Sequence, residues 1–101
     1  MDKYSEEQKK QIVDVAAIVV GASIALYQMT KDTPKYNSIL GEQEKSMKEL
    51  EQHGFSLETD IPGINTNKLP EYYVVENGER ILKFDENYPA VRYWYYRFTS
   101  Y

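Results

Sequence analysis

The sequence of 101 residues has no cysteine, which excludes a disulfide framework and any thiolate metal site and leaves the redox compartment undefined. It has one histidine, His53. No nucleophile is paired with it, and its place in the last turn of an expected helix suits a residue that offsets the helix dipole better than a catalytic base. No glycine-rich phosphate loop follows a strand, since Gly63 and Gly78 stand in turns. Glu42, Glu44, Glu49 and Glu51 belong to a charged helix, where a solvated face is a better reading than an acid/base pair or a hard-metal site. The residues therefore point away from an enzyme and call for no cofactor and no metal.

Charge of one sign is never concentrated. Sixteen acidic and 12 basic residues give a net charge of −4 and a pI near 5.0, with neither an acidic tail nor a basic block. That balance argues against nucleic acid as a general partner. A chain of this length makes one domain and buries about two-thirds of its unfolded surface, which leaves little room for an internal substrate cavity. A cleavable leader is also not expected. Tyr27-Gln28-Met29 is too bulky for a cleavage site, and Met1 to Gln11 carries three acids.

What the sequence does have is an apolar run from Ile12 to Met29, in which only Asp14, Gly21, Ser23 and Gln28 are not clearly apolar. As a helix it reaches roughly 27 Å, near the hydrocarbon thickness of a bilayer. Ser5 with Glu6 and Glu7 makes a helix N-cap, and the helix is expected to end between Thr30 and Pro34. At about 100° per residue, Asp14, Ala17, Ile18, Gly21, Ala25 and Gln28 gather on one face, with Ile12, Ala16, Val19, Val20, Leu26 and Tyr27 opposite. The first face is small rather than charged. Ala17, Gly21 and Ala25 would let another helix backbone approach, and Asp14 and Gln28 mark the two ends of the stripe. Ser23 can bond back to the Val19 carbonyl.

After Pro34, Asn37-Ser38 is expected to start a second, surface helix that runs to His53 with Leu40, Met47 and Leu50 on one side. Gly54 then sits where a left-handed C′ residue belongs, with Phe55 packing back on Leu50. Ser56 to Glu71 reads as an extended connection. Asn77-Gly78 between Tyr72–Glu76 and Glu79–Phe84 is a strong hairpin signal, expected to set Val74 against Ile81 and Tyr73 against Leu82. Glu76 opposite Glu79 then needs an offsetting group such as Arg80. The tail from Tyr88 to Phe98 alternates as a third strand, with Val91, Tyr93 and Tyr95 on one face and Arg92, Trp94 and Tyr96 on the other. Ten tyrosines suit interfaces, and Arg92, Tyr93, Trp94, Tyr96 and Arg97 form the expected partner-docking set. The Arg92–Arg97 interleaving is also found in single-strand nucleic-acid binders, but two arginines in an acidic chain favour protein.

These readings give a mainly α fold with a small β element. Its segments are a charged leader at 1–11, a transmembrane helix at 12–30, a connector and amphipathic helix at 31–55, and a loop, hairpin and extended aromatic tail at 56–101. The alternative is a soluble α+β protein with the first helix packed on a three-stranded sheet, an inhibitor or adaptor of the kind phages encode.

The short charged leader, single span with small residues, charged helix ending in Gly-aromatic and tyrosine-rich tail resemble the small single-pass accessory subunits of mitochondrial respiratory complexes and ATP synthase. The resemblance is nearest to the cytochrome c oxidase subunit of the VIc type, through Val15 to Met29 and Tyr36 to Phe55. The hairpin and aromatic tail lie outside that pattern. The resemblance implies a non-catalytic subunit of the mitochondrial inner membrane that braces a complex, with other subunits and lipid as partners and no redox centre of its own.

Overall fold

The computed structural model describes residues 3–63 and 66–100. Met1 and Asp2 of the expected leader, Ile64 and Asn65 of the expected connection, and Tyr101 lie outside the described residues. The fold is mainly α with a small β element: α1 (Glu6–Tyr27), α2 (Pro34–Gln52), β1 (Phe55–Asp60), β2 (Glu71–Glu76), β3 (Glu79–Asp85) and α3 (Pro89–Thr99).

Helix α1 starts inside the charged leader, so residues 6–11 are its first turns and not a separate segment. Ser5 accepts from the Gln8 N–H at 3.1 Å and Gln8 returns its side-chain oxygen to the Ser5 N–H at 2.8 Å, a capping box. Ser23 donates to the Val19 carbonyl at 3.0 Å. The helix ends at Tyr27, with Gln28 as its C-cap. At 22 residues it is the one helix among the described residues long and apolar enough to cross a membrane.

Helix α2 begins at Pro34, not at Ser38. Thr33 is the N-cap and accepts from the Tyr36 N–H at 3.1 Å, while Pro34 occupies the first turn, where its missing N–H costs nothing. Its inward stripe also differs from the expected one. Ile39, Ser46 and Leu50 are buried, and Gln43 donates to the Val19 carbonyl at 3.1 Å and to Ser23 at 2.7 Å. Two of these four positions are polar, so their helical spacing is masked in the hydrophobic pattern, and Met47 instead stays exposed. At the end of α2, Gly54 has φ +85° and its N–H reaches the Glu51 carbonyl at 3.0 Å, while Leu50 and Phe55 share one buried cluster.

The chain then turns directly into β1, which corrects the reading of Ser56 onward as a loop. Phe55 is buried and Leu57 half-buried, whereas Glu58 and Asp60 are exposed, the alternation of a strand with one covered face. Strands pair antiparallel in the order β1-β2-β3. Asn77 and Gly78 have φ +53° and +79°, as a tight two-residue turn requires. Glu76 opposes Glu79 and Val75 opposes Arg80, but a bulge then shifts the register, so that Val74 faces Leu82 and Tyr73 faces Lys83. Unshifted pairing would put Lys83 on the covered face, opposite Tyr72. The bulge puts Leu82 and Phe84 there and leaves Lys83 to pair with Glu71 at 3.1 Å. Glu76 is offset by Tyr4 and Lys3, at 2.6 and 3.4 Å, and not by Arg80.

The aromatic tail is a helix, α3, and not a third strand or an extended segment; β1 is the third strand. Pro89 stands in its first turn, and Val91, Trp94, Tyr95 and Phe98 recur at helical spacing. Those four find cover because α1 offers a groove that fits them. Around α1, one cluster joins Val13, Ala16, Ala17, Val19 and Val20 to Leu50, Phe55, Val74, Phe84 and Val91. A second joins Ala22 and Ala25 to Ile39 and Phe98. Thus α1 is the central element, with α2, α3 and the sheet packed around it.

Candidate protein-docking surface

The small-residue stripe of α1 faces α3. A Cβ at Gly21 would lie 3.0 Å from the Trp94 Cβ and 3.1 Å from both the Tyr95 nitrogen and the Val91 oxygen. Ala17 and Ala25 are fully buried in the same α1 surface. At the ends of the stripe Asp14 accepts from the Tyr88 hydroxyl at 2.9 Å, and the Gln28 side-chain oxygen accepts from Tyr95 at 2.8 Å. Lys10 adds an ion pair to Asp14 at 2.9 Å. Burial, followed by the bond to Asp14, pushes the Tyr88 hydroxyl above its ordinary pKa. The structure therefore brings Asp14, Ala17, Gly21, Ala25 and Gln28 together along one seam, and the helix that fills it is the chain's own. Tyr88 and Tyr95 were not singled out from sequence. The signal for them is that the polar ends of an otherwise apolar stripe each need a donor.

The five expected docking residues divide between the two sides of α3. Trp94 is half-buried. Its Cβ sits on Gly21, and its ring meets Phe98 at 5.5 Å between centroids. Its ring also meets the outward Tyr93 ring edge-on at 5.4 Å, so Trp94 belongs to the seam through Gly21 and Phe98 and borders the outer set. Arg92, Tyr93, Tyr96 and Arg97 point outward, and Tyr93 and Tyr96 are 56% and 58% exposed. Arg92 donates to the Asn87 side chain at 2.9 Å, and Arg97 lies 3.5 Å from the Tyr93 hydroxyl and 5.8 Å from the Trp94 ring centre. This arrangement can hold a partner surface, but offers no nucleophile or base.

Two other regions carry charged or titratable side chains. The outer sheet face carries Arg80, which pairs with Glu58 and Asp60, each at 2.9 Å, and stacks on Tyr73 at 4.1 Å. Those pairs hold the Asp60 carboxyl below its usual range and satisfy the face internally. An open cleft of about 380 Å³ between α1, α2 and β1 brings His53 and Glu49 beside Tyr4, Ile12 and Leu50. Its tyrosine is already bonded to Glu76, and that bond holds the Glu76 carboxyl below its usual range. Among the described residues no group of three or more His, Asp or Glu side chains could hold a metal ion.

Compared with known protein families, curated proteins and solved structures, the chain matches none.

Proposed function

We propose that the chain is a non-catalytic protein-binding module, with α1 as its own core helix in water and the outer face of α3 as its contact surface. The observation that carries this reading is the cover on α1: Ala16, Ala17, Ala22 and Ala25 are all 0% exposed beneath the chain's other elements. A bilayer around this fold would meet Glu42, Glu44, Lys45, Lys48, Glu49 and Glu51, all exposed on α2, at a cost of several kcal/mol. Exposed tyrosines flanked by arginines are the residue types that anchor protein interfaces.

The length and apolar character of α1 favour a second reading, a single-pass accessory subunit of a membrane complex, the respiratory chain included. It requires α1 to exchange the seam with α3 for lipid. Alkaline carbonate extraction of cells expressing the full chain, followed by sedimentation of the purified protein without detergent, separates the two. The first reading expects release into the soluble fraction and a monodisperse species, and retention in the membrane with aggregation on detergent removal would overturn it.

A further inference from the structure

Helix α3 contains two arginines and no acid. Arg80, the third arginine, is committed to Glu58 and Asp60; Arg92 and Arg97 have no ion pair among the described residues. Their only hydrogen bonds there go to neutral oxygens of Asn87 and Tyr93, which leaves most of each guanidinium's five donors available. At about 100° per residue the outward residues fall in the order Arg92, Tyr96, Tyr93, Arg97 across an arc of about 140°. Two exposed rings occupy the centre and a cation stands at each edge. In a protein of net charge −4, this is a cationic face with an apolar middle.

We propose that this face docks an acidic segment of a partner protein, with carboxylates on Arg92 and Arg97 and an apolar side chain between Tyr93 and Tyr96. The inference rests on the protein-binding reading above and names the chemistry of the partner. Arginine matches a carboxylate through two parallel N–H donors, and both sites lie within one segment's reach, about 8 Å apart along the helix axis. A nucleic acid fits less well. Two cations release few counterions, and an extended polyanion would pass the acidic remainder of the molecule.

The test is selection of a random 12-residue peptide display library on the full chain, in parallel with Arg92→Glu/Arg97→Glu. The expected result is enrichment of Asp and Glu around an apolar residue. A selected peptide should bind the double variant at least tenfold more weakly, with the thermal midpoint of the variant unchanged. If that midpoint moves, Arg92→Gln/Arg97→Gln replaces it with the same expectation. Four results would overturn the proposal: no selected peptides, or none enriched in acids; equal affinity for the variant; tighter binding of a 15-residue oligothymidylate at the same salt; or self-association of the chain that the variant abolishes. Detergent dependence, visible before any peptide is added, would instead overturn the reading beneath it.

Discussion

Gly21 and Trp94 are set so closely that a Cβ on the glycine would stand 3.0 Å from the Cβ of the tryptophan, with α3 backbone atoms at 3.1 Å on either side. Backbone cannot yield as a side-chain tip can, so the absence of a side chain at Gly21 sets how near α3 lies to α1. The same device serves membrane helices, where close approach replaces hydrophobic driving force; here it seats a helix in a core.

Gly21→Ala should therefore destabilise the fold by about 1 to 3 kcal/mol, overpacking outweighing the roughly 1 kcal/mol that alanine gains in helix propensity. Gly41 in α2 is the matched control, because nothing lies within 4 Å of a Cβ there. Gly41→Ala should stabilise by about 0.5 to 1 kcal/mol. Urea unfolding of both variants checks the pair, and equal effects would refute the seam.

Trp94→Ala should cost about 3 kcal/mol of folding stability, because it keeps the Cβ over Gly21 but empties the ring site against Phe98. Tyr93→Ala and Tyr96→Ala should each change stability by no more than about 0.5 kcal/mol, as exposed positions do. Thermal unfolding of the three variants measures the division of α3 into an inner and an outer side.

Tyr4 and Glu76 provide a pH signature. The bond from Tyr4 holds the Glu76 carboxyl below its reference value of 4.5, so its stabilising contribution is full above that value and is lost as pH falls through the lowered one. The tyrosine is raised from 10.0, chiefly by the same bond, so its contribution is full below that value and is lost as pH rises through the raised one. Tyr4→Phe should weaken the fold near neutrality and flatten the fall in stability between about pH 5 and 3. Unfolding midpoints measured across pH test both limbs, and a parallel acid limb in the variant would contradict the link.

Much of the framework was legible because local chemistry dictates it. Ser5, Gly54 and Asn77-Gly78 each mark a boundary through backbone groups within a few residues, and each stands where its pattern predicts. The errors arise where tertiary packing chooses between local patterns. Aromatic residues from Val91 to Phe98 satisfy an alternating and a helical template together; Pro89 was the local sign for a helix, and the groove on α1 favours it. Ser56 to Asp60 is too polar to announce a strand, and becomes one because β2 pairs with it. The hairpin turn was readable, but not the bulge, which serves to keep Lys83 off the covered face. In the candidate surface, the outward set of Arg92, Tyr93, Tyr96 and Arg97 was visible as composition, while Trp94 is drawn inward by a glycine 73 residues away in sequence.

The central claim, that α1 is the covered core helix of a fold in water, is tested most directly by amide hydrogen exchange of the full chain in detergent-free buffer. In a covered core helix the amides from Val13 to Ala25 should exchange among the slowest in the molecule, at a protection matching global unfolding and unaffected by added lipid bilayers. Rapid exchange of that segment in buffer, with protection gained only when bilayers are supplied, would contradict it.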